Sequence, residues 1–130
     1  MKRALLGVSR IVEARQELVW DLLTDTRRWA EWGPSVVEAQ CITRHIRAAS
    51  RGRVKTALGL WLPFVVTEFV PGLFWAWRVA GIPATGHRVA PLGETRTVVT
   101  FEVPVLAAPY LIVCRAALRR IAAIAERGPH

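Results

Sequence analysis

Two cysteines, two lysines, one tyrosine and one methionine in 130 residues leave several common chemistries without their side chains. Cys41 and Cys114 stand far apart in the chain. They make neither a disulfide framework nor a metal-ligand spacing, so both read as reduced, buried thiols. No P-loop, GxGxxG, GxSxG or HExxH occurs. Nucleotide hydrolysis and metal-assisted hydrolysis are therefore disfavoured, and neither a metal nor a cofactor is expected. Long apolar runs are missing too: Leu60 to Val66 is typical and carries Pro63 inside it, whereas a membrane helix needs roughly 20 residues. The opening MKRALLGVSRIVEAR has a basic start but too short an apolar stretch, and no small-residue cleavage site, for a signal peptide. The expectation is a soluble, cytoplasmic protein.

What the chain has in abundance is apolar residues, at 52 %, six tryptophans, and arginine. A length of 130 residues suits one domain, residues 1–130, with one core. Eighteen basic residues against ten acidic ones give a formal charge of +8, and all the basic residues except Lys2 and Lys55 are Arg. Such an Arg-rich, Lys-poor balance follows codon bias as readily as it follows a nucleic-acid partner. The densest basic group, Arg44, Arg47, Arg51 and Arg53, falls around one expected turn. Nucleic-acid binding would want aromatic rings interleaved with those charges. That turn is bare of them, so it reads either as a solvated hairpin tip or as a docking patch for an anionic partner such as an acyl carrier protein.

The spacing of apolar residues gives an order of elements. Leu5 to Glu13 alternates as a strand. A helix from about Arg15 to Thr24 puts Leu18, Val19, Leu22 and Leu23 on one face. Asp25 is placed to cap a second short helix, TRRWAEW, which Gly33 and Pro34 stop. Val36 to Ile46 reads as a strand, AASRGR as a turn, and Val54 to Leu60 as a strand bending through Gly59 and Pro63 into Phe64 to Val70. Pro71 and Gly72 close a hairpin onto LFWAWRVAG, and a second hairpin joins GHRVA to TRTVVTFEV with Gly93 in its turn. After Pro104 the period changes to that of a helix. Tyr110, Cys114, Ala117, Leu118, Ile121, Ile124 and Ala125 then share one face, opposite Arg115, Arg119, Glu126 and Arg127, and the helix is expected to end at Gly128. Strands and helices in separate runs argue for an α+β fold with an antiparallel sheet of about seven strands around the long C-terminal helix.

With VWDLLTDTRRWAEWGP, the RGRV strand start, VTEFVPGLFWAWRV, GHRV and the terminal amphipathic helix laid out in this order, the chain resembles the START-like superfamily, also called SRPBCC or polyketide cyclase/dehydratase-like. The resemblance covers essentially the whole chain. It implies a helix-grip fold with a hydrophobic cavity between the sheet and the terminal helix. It implies no catalytic signature, because one scaffold serves unrelated tasks.

Site candidates follow from the residues themselves. In LFWAWRV, alternation sets Leu73, Trp75, Trp77 and Val79 on one face and Phe74, Ala76 and Arg78 on the other. Trp75 and Trp77 then either stack on a ring-shaped or polyene ligand or simply fill the core. Trp20, Trp29 and Trp32 read as fold-packing residues and Trp61 as a rim residue. Thr85, His87 and Val89 share a face on the neighbouring strand. An imidazole inside an apolar cavity stays neutral and can move a proton near neutral pH, which would suit aldol-type cyclisation or dehydration. Without a carboxylate or metal partner, a lone His such as His87 is more often a hydrogen-bonded structural residue than a catalyst. Val99 and Phe101 point inward with Val103, and Glu102 outward with Arg96 and Thr100. Glu68 faces inward or outward according to the register across Pro71 and Gly72, with the outward, Arg-neighbouring position favoured. Tyr110, Cys114 and Leu118 present the helix to the cavity, the phenol as a hydrogen-bond handle. Two functions fit: a polyketide cyclase/dehydratase-like enzyme with His87 as proton carrier, or a lipid or aromatic-metabolite carrier or sensor with the same cavity and no chemistry.

Overall fold

The structure, a computed structural model, describes residues 5–127. Its elements run β1 (Leu5–Val12), α1 (Gln16–Thr24), a 3-10 turn (Thr26–Arg28), α2 (Trp29–Trp32), β2 (Val36–Cys41), β3 (Arg51–Thr56), β4 (Trp61–Val70), β5 (Phe74–Val79), β6 (Ile82–Leu92), β7 (Arg96–Pro104), a 3-10 segment (Val105–Tyr110) and α3 (Leu111–Ala125). The seven strands form one antiparallel sheet in the order β1-β7-β6-β5-β4-β3-β2. Every β-strand from β2 to β7 pairs with its chain neighbour, and β7 returns to β1. The sheet curves around α3, which lays its buried face, Cys114, Ala117, Leu118, Ile121, Ala122 and Ala125, over β1 and against α1 and α2. This is the helix-grip arrangement that the resemblance implied, and the α+β class that the order of strands and helices argued. The expected end of the helix at Gly128 lies outside the described residues.

Local chemistry explains the turns. Asp25 takes extended dihedrals and its carboxylate accepts the N–H of Arg27, so it caps the 3-10 turn leading into α2, as its position predicts. Between β5 and β6 the two-residue loop Ala80-Gly81 has both residues at positive φ, 53° and 77°, the geometry of a type I′ hairpin. Gly93 has φ 74° in the β6–β7 turn. Gly52 is needed for a different reason: a Cβ there would lie 2.8 Å from the Phe64 ring and collide with the Gln40 carbonyl.

Several boundaries depart from the sequence pattern. The strand expected over Val36 to Ile46 ends at Cys41, and the expected turn AASRGR contributes Arg51 and Arg53 to β3. The hairpin at Pro71-Gly72 has three loop residues, because Val70 pairs with Phe74. Leu73 is consequently in the turn, 45 % exposed, and not on the inner face with Trp75. The ladder shifts register between Val66 and Glu68 and pairs Glu68 with Ala76, on the outward face. Phe74 is buried on that outer face, with Arg88 stacked 4.4 Å above its ring.

Candidate functional site

Aromatic side chains from five elements converge between α2, the sheet and α3. Trp75 stacks on Trp29 at 5.5 Å and on His87 at 3.9 Å. Trp77 meets Trp29 and Phe64 edge-on at 5.2 and 5.4 Å. Trp32 and Phe101 close on His87 from other sides. Rings packed this way bury about 150–250 Å² each and gain further from their offset and edge-to-face geometry. Trp29 and Trp32 sit one α-helical turn apart on α2, and each uses its indole N–H to tie that helix to α1: Trp29 Nε1 donates to the Leu23 carbonyl and Trp32 Nε1 to that of Leu22.

A short hydrogen-bond chain fixes the state of His87, which is 1 % exposed. Trp77 Nε1–H donates to Thr85 Oγ1 at 3.0 Å, and Thr85 Oγ1 lies 2.9 Å from His87 Nε2. An indole can only donate. The Trp75 carbonyl, 3.2 Å from Nδ1, can only accept, so the imidazole proton is on Nδ1 and the bare Nε2 accepts the threonine hydroxyl proton. Burial pushes the His87 pKa from the ordinary 6.5 down to about 3, against the smaller opposing effect of the Trp75 carbonyl. The ring is neutral at physiological pH and both nitrogens are engaged.

This cluster walls two adjoining spaces. The inner one is a chamber of about 50 Å³ lined by Trp29, Trp32, Trp75, Trp77, His87 and Cys114 among others. The outer one is an apolar cleft of about 460 Å³, lined by Val36, Val54, Leu62, Val79, Val103 and Ala107 with Trp77. Ser35, Val36, Trp77, Thr85 and Tyr110 belong to both. At this boundary the Ser35 and Tyr110 hydroxyls share a 2.6 Å hydrogen bond. Burial raises the Tyr110 pKa and outweighs the lowering by Ser35; burial also pushes the Cys114 thiol up to about 11. Neither is a nucleophile at neutral pH.

A model described as "Polyketide cyclase / dehydrase and lipid transport" matches residues 4–127. The chain belongs to that family. Solved structures with the same fold include the Zhui aromatase/cyclase from Streptomyces sp. R1128, at 16 % identity and TM-score 0.72 over 97 % of this chain and 95 % of that one. XoxI from Bacillus cereus has 14 % identity and TM-score 0.73, covering 98 % and 99 %. CV1439 from Chromobacterium violaceum has 21 % identity and TM-score 0.68, covering 97 % and 98 %. Comparison with curated proteins finds no match. At these identities the structural likeness speaks for the fold, and this family member's site has to be argued from its own side chains.

Of the side chains singled out in the sequence, the structure brings Trp75, Trp77, His87, Phe101, Tyr110 and Cys114 to the wall of the inner chamber. Val89, Val99 and Leu118 are buried in the core cluster and line neither space. Trp29 and Trp32, read as packing residues, turn out to line the chamber as well. Their three-residue spacing on a short helix was the available signal. The four arginines do not form one free patch. Arg44 is bound to the buried Asp25 through 2.9–3.1 Å contacts, and Arg53 donates to Gln40 and stacks over Trp61 at 4.5 Å. Burial alone would raise the Asp25 pKa, but the Arg44 guanidinium and the Arg27 N–H hold it below the usual carboxylate value. Glu102 lies 3.5 Å from Arg88 on the outer face, as expected.

The three groups close enough to share a metal ion among the described residues are Asp21, Asp25 and His45. Arg44 already occupies the Asp25 carboxylate, and Asp21 Oδ1 lies 2.8 Å from His45 Nε2. A cation there would compete with a guanidinium. No helix among the described residues is long and apolar enough to cross a membrane.

Proposed function

We propose that the protein binds a hydrophobic small molecule, such as a polyketide, a lipid or an aromatic metabolite, with its apolar body in the outer cleft and its leading end toward the inner chamber. The observation that carries this reading is the cleft itself: about 460 Å³, walled by aliphatic side chains and one tryptophan edge, beside a smaller aromatic chamber. That volume lies in the range of small-molecule sites. An open apolar surface of this kind favours a ligand that leaves water on binding, at roughly 25 cal/mol per Å² of apolar area. Membership of a family described by polyketide cyclisation, dehydration and lipid transport supports the same class of ligand. Trp77 and Tyr110 are the aromatic contact residues among the five shared by both spaces; Trp75, Phe101 and Cys114 contact the leading end. A cytoplasmic setting goes with this reading, supported by the two thiols left free.

A carrier or sensor role needs nothing more than this. Cyclase/dehydratase-like catalysis is the second reading, favoured by one observation: the His87 ring is a wall of the chamber. To act there, His87 Nε2 would exchange its Thr85 hydroxyl for a substrate proton, and rate would come mostly from holding reacting carbons together. A substrate delivered on an acyl carrier protein would meet Arg47 and Arg51, the two of the original four whose guanidinium groups have no hydrogen-bond, ion-pair or ring partner among the described residues, Arg44 being held by Asp25 and Arg53 by Gln40 and Trp61. Native mass spectrometry of protein purified from its own host, run beside a cleft-filling Val79→Trp variant, tests the binding reading. A co-purifying mass carried by the wild type and lost in the variant supports it, and the same mass retained by the variant counts against the cleft. If a turned-over substrate is found, unchanged turnover in His87→Ala removes the catalytic role.

A further inference from the structure

Trp75 is fully buried, and its indole N–H has no hydrogen-bond partner among the described residues. Among the described residues it is the one buried side-chain nitrogen or oxygen in that condition. Stacking on Trp29 and His87 engages the ring, which forms part of the chamber wall. A buried donor without an acceptor costs about 1–3 kcal/mol, and native proteins hold only a few. The other polar groups around the chamber are engaged: Trp29 and Trp32 with backbone carbonyls, Trp77 with Thr85, Thr85 with His87, and His87 with the Trp75 carbonyl.

We propose that the inner chamber is a subsite for an uncharged hydrogen-bond acceptor, a carbonyl oxygen at the leading end of the ligand, which takes the free N–H of Trp75. The inference rests on the ligand-binding reading and adds the chemistry of the ligand's end. An acceptor is required because the unpaired buried group of the wall, the Trp75 N–H, is a donor, joined by the weak Cys114 S–H; Ser35 and Tyr110, which share a single bond, keep one proton and spare lone pairs. His87 Nε2 is taken by the Thr85 hydroxyl and Thr85 Oγ1 already accepts from Trp77, so the deep acceptors are engaged while the Trp75 donor is not. The group is uncharged because no cation faces the chamber. His87 stays neutral there, and an unpaired carboxylate in an apolar site is expensive. A volume of about 50 Å³ takes a methyl ketone or an equally small carbonyl end, while the body of the molecule stays in the cleft.

Three probes of matched shape test this. 2-Acetylnaphthalene carries the ketone, 2-isopropenylnaphthalene replaces C=O with C=CH2, and 2-naphthoate carries a charge. Calorimetric affinities are measured on the wild type and on Trp75→Phe. The ketone-to-hydrocarbon affinity ratio is expected to be roughly tenfold higher in the wild type, the effect of one neutral hydrogen bond to a buried donor. The ratio between proteins cancels the probes' different partition from water. In 15N-labelled wild type, the assigned Trp75 indole proton is expected to move downfield with the ketone and to stay in place with the hydrocarbon. This second readout decides the matter even if Trp75→Phe fails to fold. An unchanged ratio, or a Trp75 resonance that stays in place while the ketone binds, overturns the subsite and leaves the cleft standing; a water alone in the chamber gives this result. Tighter binding of 2-naphthoate than of the ketone overturns the requirement for an uncharged group. If neither neutral probe binds, the ligand-binding reading falls and the subsite with it.

Discussion

Mild acid is expected to destabilise the protein through His87 before the carboxylates titrate. In the folded chain His87 protonates only near pH 3, while in the unfolded chain it recovers its ordinary 6.5. Below pH 6.5 the unfolded state therefore binds a proton that the folded state refuses, and stability falls as pH falls, from about 6.5 down to about 3. At pH 5 the medium is one and a half units below 6.5, which corresponds to a loss of about 2 kcal/mol relative to pH 7.5. For a chain of this size that lowers Tm by about 7 °C. Continued to pH 3 the loss approaches about 5 kcal/mol, a large part of a typical domain's stability. Urea unfolding followed by tryptophan fluorescence at pH 7.5, 6 and 5 measures it, with His87→Gln as the non-titrating comparison. The variant starts less stable but lacks the His87 part of the acid slope. Asp25, held below the usual carboxylate value, stays ionised at pH 5 in both proteins, and the exposed His45–Asp21 pair is common to both. Equal losses in wild type and variant between pH 7.5 and 5 would refute the buried, neutral, doubly bonded imidazole.

Four substitutions probe the scaffold around the site. Thr85→Val keeps the shape but strips the hydroxyl that links Trp77 Nε1 to His87 Nε2, and leaving two buried groups unpaired is expected to cost about 2–4 kcal/mol in urea unfolding. Asp25→Ala removes both the cap on the Arg27 N–H and the anchor of Arg44, with an expected loss of about 3 kcal/mol; Arg44→Ala, at a half-exposed side chain, should lose about 1 kcal/mol or less in the same assay. Gly52→Ala drives a methyl into the Phe64 ring, and thermal unfolding should show a loss of about 1–3 kcal/mol with β2–β3 pairing disturbed.

Period and punctuation made most of the fold legible. The alternation in LFWAWRV and TRTVVTFEV placed Trp75, Trp77, Val99 and Phe101 inward, and the helical spacing after Pro104 placed Cys114, Ala117, Leu118 and Ile121 on the buried face of α3. Asp25 announced its cap. Register was less legible, because it depends on bulges that leave little mark on composition. The shift between Val66 and Glu68 and the third loop residue at Leu73 are set by the ladder as a whole and not by Pro71-Gly72 alone. Side-chain pairing across long sequence separations was invisible. Arg44 looked like part of a surface cluster until the fold set it beside Asp25, and His87 looked partnerless until Thr85 and Trp77 met it. Thr85 already shared a strand face with His87 in the sequence. The decisive indole of Trp77 came from the next strand, at a second register shift.

The central claim is that the apolar cleft between the sheet and the 3-10 segment before α3 takes up an apolar molecule. Its most direct test is a titration of methyl-labelled protein with naphthalene, followed by NMR. The account predicts saturable one-site shifts gathered on the Val36, Val54, Leu62, Val79 and Val103 methyls that wall the cleft. Absence of saturation, or shifts gathered on exposed methyls such as Leu5 and Ile82 away from it, would contradict the account.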